Sequence, residues 1–225
     1  KRFRPRYLAA AFYFRQSRMS EYRRYAEMAA NTTAADLTKI FELAQAAEGE
    51  PSLVPDRLRL RMPGAAASYL AFRLDKGQID DGLADLGLKL PSGSEHRELL
   101  LIACERLADS GYIDAAVRIW NHLASGGLPH ATPLDPERGR SLTNGGLAEG
   151  VGRGFDWLRY DVPGTILRMP EPQSMRLEFT GDQPEACTLL QQRVPVMPGA
   201  KYRLTWRYAT GDMTGDTATF GQSTK

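Results

Sequence analysis

Reactive and cross-linking residues are scarce in this chain, which has two cysteines, three histidines and three tryptophans among 225 residues. Cys104 sits inside a helical pattern and Cys187 beside a strand-like run, so the pair does not read as a disulfide framework. His96, His122 and His130 have no second ligand at metal spacing. His122 falls in a last helical turn, where an imidazole suits the negative end of the dipole. No run approaches the roughly 20 apolar residues a membrane span needs; the best candidate, Tyr7 to Phe14, is bracketed by Arg6 and Arg15. A signal peptide is not visible either, and a start at Lys1 reads as a fragment or processed product.

Catalytic signatures are missing as well. No phosphate loop of the GKS or GKT type, no G-x-S-x-G elbow and no HExxH occurs. Gly150, Gly152 and Gly154 are spaced like part of a dinucleotide loop, but Phe155, Asp156 and Trp157 follow them instead of a helix with a buried face. Asp80, Asp81 and Asp85 form an acidic turn and helix start, which the helix dipole favours without any catalytic role. No catalytic residue, metal ligand or cofactor is therefore assigned, and the chain reads as no enzyme. Asn31-Thr32-Thr33 matches a glycosylation acceptor but is read as a helix cap.

Acidic residues are nearly absent from one end. Residues 1 to 24 hold eight basic side chains against Glu21 alone, so the remaining 201 residues carry a net −5 of the overall +2. Aromatics crowd the same stretch: Phe3, Tyr7, Phe12, Tyr13, Phe14, Tyr22 and Tyr25. Interleaved arginine and aromatics suit nucleobases or a membrane surface. Helical spacing assigns the aromatics to a core instead, so no nucleic acid is expected, while membrane contact stays open through this basic end or an upstream segment.

What remains is an ordinary globular composition, 42% hydrophobic and 25% charged, organised in two styles. Helical periodicity runs from residue 1 to 124. Setting Ser17 at a turn gives a first hairpin, with Ala9, Ala10 and Tyr13 facing Tyr22, Ala26 and Ala29. Leu37, Ile40, Phe41 and Ala44 share one face of the next helix, and prolines confine residues 53 to 63 to a short helix or connector. Helices resume at about 65 to 76, 80 to 89, 95 to 109 and 113 to 124. In the last pair, Ala103, Cys104, Leu107, Gly111, Ile113, Ala116, Trp120 and Leu123 stand where a helical repeat places its interlocking residues, and Gly77, Ile79, Asp80 and Gly82 echo them 34 residues earlier. That period and pattern resemble tetratricopeptide repeats, which implies a helical solenoid whose inner groove accepts an extended peptide or protein partner. Register places Arg4, Tyr7 and Phe14 in the groove of the first hairpin, and Glu98, Leu101 and Glu105 in that of the last.

Residues 125 to 140 are rich in glycine and proline and read as a linker. Beyond them strand signals take over. Met175, Leu177 and Phe179 alternate over 174 to 180, residues 187 to 196 form another candidate, and Tyr202, Leu204, Trp206 and Tyr208 alternate after a Pro198-Gly199 turn. The segments SLTNGGLAEG, GFDW, SMRLEFTG and LLQQRVPVMPGAKYRLTWRYAT, with Gln192, Val194, Val196, Pro198, Gly199, Tyr202 and Leu204 in a recurrent order, resemble the opening of a carbohydrate-binding-module-type jelly roll. Leu147 replaces the usual phenylalanine, and only four or five of about eight strands can be placed. The expectation is a partial antiparallel β-sandwich over 141 to 225, incomplete at its end.

The chain as a whole is similar to bacterial envelope proteins, which implies a cell-envelope scaffold, membrane-associated or periplasmic, linked to polysaccharide assembly. The alternatives are a purely protein-binding module, an accessory region of a longer enzyme or membrane protein, and a cytoplasmic location. A polysaccharide partner would stack on Trp157 and Tyr160, with Arg159, Gln191 or Arg207 as hydrogen-bonding neighbours. Trp206 and Tyr208 share a strand face with Leu204, which assigns them to a core.

Overall fold

A computed structural model describes residues 3–32, 36–168, 174–205 and 207–211. Among them are eight α-helices followed by four short β-strands: α1 (Phe3–Arg15), α2 (Met19–Ala30), α3 (Thr38–Glu48), α4 (Val54–Arg57), α5 (Pro63–Asp75), α6 (Gly82–Leu88), α7 (Ser94–Asp109), α8 (Ile113–Ser125), β1 (Leu158–Arg159), β2 (Thr165–Arg168), β3 (Arg176–Phe179) and β4 (Leu190–Gln191). The chain is thus mostly helical, with a small antiparallel strand region at its C-terminal end. None of the described helices is long and apolar enough to cross a membrane.

Helix ends follow a shared local chemistry. At the close of α7, the Tyr112 N–H donates to Leu107 O and the Gly111 N–H to Ala108 O; Gly111 has φ +84°. This is the Schellman arrangement, in which a left-handed residue satisfies carbonyls the helix leaves open. The same pair of bonds closes α5 at Gly77, α8 at Gly127 and α1 at Ser17, each with positive φ. Gly77 and Gly111, the 34-residue echo, therefore occupy identical turns. The turns at Ser17, Gly77 and Gly111 reverse the chain, so that α2 packs on α1, α6 on α5 and α8 on α7.

The helices bury a continuous apolar core. Ala26, Ala29, Ile40, Phe41 and Ala44 line its N-terminal part, Tyr69, Leu70 and Phe72 its middle, and Leu100, Ala103, Cys104, Leu107, Ala116, Trp120 and Leu123 its last hairpin. Small residues let the backbones of α7 and α8 approach, and the Cys104 thiol contacts Ala116 O at 3.5 Å. Burial pushes that thiol's pKa up to about 12, which makes it an inert packing group. Ile113, expected between the helices, lies at the rim and is exposed, because it is the first residue of α8. Asn31 closes α2 rather than opening α3. Its amide donates to the carbonyls of Glu27, Leu58 and Arg59 and its oxygen accepts from Arg61 N–H. Thr33 lies outside the described residues.

Residues 126–157 do not hang free between the two styles of backbone. Leu128, Leu134 and Phe155 are buried in the same core as α7 and α8, although 125 to 140 reads as a linker in the sequence. Asn121 on α8 donates to Leu134 O at 2.8 Å and accepts from Leu134 N–H at 2.7 Å. The Trp120 indole N–H donates to Thr132 O at 3.1 Å. A helix face thereby supplies the partners that an extended segment needs for its own backbone.

The strands form two ribbons. β1 pairs antiparallel with β4, placing Leu158 opposite Gln191, and β2 pairs antiparallel with β3, with Thr165 opposite Phe179 and Arg168 opposite Arg176. The strand expected at 174 to 180 is present as β3, and that expected at 187 to 196 is reduced to Leu190–Gln191. Residues 202–205 and 207–208 belong to no named strand, and Leu204 and Tyr208 are exposed, Tyr208 to 75%. Tyr208 is therefore no core residue here, since alternation buries a face only where a partner strand and a facing layer exist. Trp206 lies outside the described residues.

Trp120 is wholly buried at the meeting point of α7, α8 and the segment that follows. Trp120→Ala is expected to lower unfolding free energy by about 3–5 kcal/mol, whereas Phe12→Ala, at an exposed site, changes it by less than about 0.5 kcal/mol; urea titrations followed by far-UV circular dichroism compare the two.

Candidate functional site

The turn-forming run Thr143-Asn144-Gly145-Gly146 builds the centre of the junction. Asn144 has φ +47°, a conformation asparagine tolerates better than most residues. Its side-chain oxygen accepts from Ala148 N–H at 3.0 Å, while its amide donates to Ala148 O and to Asp156 Oδ1, both at 2.9 Å. The other Asp156 oxygen accepts from Gly152 N–H at 3.0 Å. Gly150 lies so close to this carboxylate that any β-carbon there would collide with it. A buried carboxylate is tolerable only when its oxygens find donors, and the glycine-rich loop supplies them.

Two neighbours lock onto this cluster. The Trp157 indole donates to Asn144 O at 3.0 Å. Gln192, adjacent to β4, donates to Thr143 O at 2.7 Å and to Phe155 O at 3.0 Å. Phe155 meets Trp120 edge-on, with ring centroids 5.9 Å apart. Gly154, at φ +66°, leaves room for that indole, because a β-carbon would lie 3.0 Å from it.

A charged clasp reinforces the contact. Arg153 forms ion pairs with Glu98 and, at 2.6 Å, with Glu105, both on α7. Glu105 also accepts from Gly154 N–H at 3.2 Å, and Arg193 pairs with Asp109 at 2.6 Å. Burial alone would raise the Glu105 pKa. Hydrogen bonds from Arg153 and Gly154, with the charges of Arg153 and Arg193, outweigh it and hold the group below the ordinary carboxylate value.

Beside the cluster lies a depression of ≈ 180 Å³ lined by Ala148, Glu149, Gly150, Val151, Gly152, Asp156, Trp157 and Arg159. It is smaller than the roughly 300 Å³ at which pockets begin to enclose a drug-sized ligand. Trp157 is half-buried at its wall, and Arg159 reaches Ala148 O at 3.4 Å. Pairing of β1 with β4 joins two more expected residues to each other: Tyr160 donates to the Gln191 side-chain oxygen at 2.8 Å. Of the five glycan candidates, Trp157 and Arg159 line the depression, and Tyr160 and Gln191 form a hydrogen-bonded pair of their own. Arg207 is exposed and lies in no named strand.

The expected peptide-groove residues do not form one lining. On α1, Arg4 is exposed, while Tyr7 stacks on Phe3 at 6.0 Å and Phe14 tilts against Tyr22 at 5.5 Å, both turned toward the core. On α7, Leu101 is 3% exposed and belongs to the core. Glu98 and Glu105 hold Arg153, so the segment around 153 and 154 occupies the face that register offered to a peptide. Sequence reading assigned no site role to Asn144 or Arg153, and named Gln192 only for its place in the strand pattern. The Asn-Gly-Gly turn signal was available for the first, but the partners of the other two lie about 40 or more residues away.

Among the described residues, no group of three or more histidine, cysteine, aspartate or glutamate side chains is placed to hold a metal ion. The His122 ring lies 2.8 Å from Leu90 O. Asp80 accepts from Arg73 at 2.5 Å and from Gly82 N–H at 2.8 Å, in a structural role. Comparison with known protein families, with curated protein sequences and with solved structures returns no match.

Asn144→Ala is expected to cost about 1–3 kcal/mol by stripping a donor from the buried carboxylate, measured by thermal and urea unfolding. The depressed Glu105 pKa gives a stabilising contribution that is full above about pH 4.5, its unperturbed value, and fades as pH falls through the lower folded value. Glu105→Gln is expected to flatten that acid limb of the stability profile, read by melting temperature across pH 3 to 7 (roughly the carboxylate range).

Proposed function

We propose that this chain is a non-catalytic scaffold of the bacterial cell envelope, with tetratricopeptide-like repeats for protein contacts and a carbohydrate-binding-module-like, jelly-roll-type half that contacts a glycan. The observation that supports this reading best is that Trp157 and Arg159 line one shallow depression, with Tyr160 and Gln191 hydrogen-bonded to each other on the adjoining strand pair. Sugar rings present flat apolar faces edged with hydroxyls, so an aromatic wall beside amide, phenol and guanidinium groups matches both features. The polar cluster beneath holds that wall rigid, which reduces what binding must spend on ordering side chains. A role in polysaccharide assembly and the envelope location follow from the resemblance of the whole chain.

A second reading, protein contacts alone, is favoured by a different feature. Ile166, Phe179, Val194, Val196, Leu204 and Tyr208 are all exposed in the strand region, and exposed apolar side chains suit a protein partner where they meet in one patch.

Calorimetry against a panel of soluble polysaccharides separates the two. Heat of binding to at least one polymer is expected from the wild type, with affinity at least about tenfold weaker in Tyr160→Ala and in Trp157→Ala. Tyr160 is exposed, so its loss leaves the fold intact. No heat from the wild type with any polymer would overturn the glycan reading in favour of protein contact.

A further inference from the structure

The basic N-terminal hairpin carries a surface that neither reading uses. α1 contains no acidic residue. Its inward side is formed by Phe3, Tyr7, Ala10 and Phe14. Its outward side carries Arg4, Leu8, Phe12 and Arg15, all exposed, with Leu8 at 54% and Phe12 at 51%. At 100° per residue these four fall within about 80° of arc, along about 16 Å of helix. Two apolar side chains therefore stand in one stripe, with an arginine toward each end.

The charges of this stripe are uncompensated. Most arginines elsewhere are ion-paired: Arg57 with Glu48, Arg59 and Arg61 with Glu27, Arg118 with Asp85, Arg140 with Asp135, Arg153 with Glu105. Arg4, Arg15 and the nearby Arg24 form no ion pair among the described residues. The two acids of α2 are engaged, Glu21 by Arg18 and Glu27 by Arg59 and Arg61, so no neighbouring carboxylate neutralises the face. A monomer gains nothing from exposed leucine and phenylalanine amid like charges. An anionic interface with an apolar interior satisfies both.

We propose that the outward face of α1 docks on an anionic phospholipid surface, Leu8 and Phe12 entering the acyl boundary while Arg4 and Arg15 pair with lipid phosphates. The aromatic inventory favours lipid over single-stranded nucleic acid. Base stacking needs free rings, and here Phe3 and Tyr7 stack on each other, Tyr13 on Tyr25, and Phe14 against Tyr22. Phe12 is held edge-on to Tyr13 at 5.4 Å, which fixes it outward as a wedge.

Flotation of the full chain with lipid vesicles tests the proposal independently of the sugar site. Binding is expected to phosphatidylcholine vesicles carrying about one third phosphatidylglycerol, and not to phosphatidylcholine alone, with loss as ionic strength rises. Arg4→Gln with Arg15→Gln should weaken partitioning about 30-fold, and Leu8→Asn with Phe12→Asn at least about tenfold. Both double variants keep wild-type circular dichroism, and Trp157→Ala floats like the wild type. Equal binding to neutral vesicles, undiminished binding by the Leu8/Phe12 variant, or tighter binding to a single-stranded RNA oligonucleotide than to anionic vesicles would overturn it.

Discussion

The Phe155 ring against the Trp120 indole is the contact on which the remainder of this molecule depends. Trp120 belongs to the last helical hairpin and Phe155 to the approach to the first strand, and both are buried. Because they share one apolar core, the polar elements around them acquire fixed positions: Gly154 must be a glycine to clear the indole, Arg153 reaches back to α7, and Asp156 points into the loop that Asn144 organises. Removing either ring would leave a void in that core. Interior packing is too dense to close such a gap without shifts.

Around that contact, polar and ionic interactions divide the work. The hydrogen bonds of Asn144, Asp156 and Gln192 specify one arrangement of a glycine-rich segment that has little intrinsic preference. The ion pairs of Arg153 and Arg193 add less stability, being partly exposed, yet they orient the strand region on the helices. The same architecture explains how a shallow surface depression can be rigid. Trp157 is tied through its indole to a backbone carbonyl, and β1 and β4, short as they are, are anchored by Gln192 to the carbonyls of Thr143 and Phe155.

The helical part was legible in the sequence because its punctuation is local. Gly77, Gly111 and Ser17 end helices through bonds spanning five residues or fewer, and Leu37, Ile40, Phe41 and Ala44 announce their face by spacing alone. The strand region was less so. Alternation over 202 to 208 marks a segment able to pair, but a strand also needs a ladder of backbone bonds, and the described residues of this run belong to no named strand. Of the candidate site, Trp157, Arg159, Tyr160 and Gln191 were named from composition and resemblance. Their supports were not, since Arg153 meets Glu105 across 48 positions and Gln192 meets Thr143 across 49. The placement of the groove residues of α7 was illegible for a related reason. Register says which side of α7 faces outward, and only tertiary structure says that the chain returns to cover it.

Hydrogen exchange tests the shared core most directly. If residues 143–157 are built into the helical core, their protected amides, such as those of Ala148, Gly152 and Asp156, should open with the same free energy and denaturant dependence as the amides of α7 and α8. Exchange of those amides orders of magnitude faster than the helices, with no response to Trp120→Ala, would contradict it.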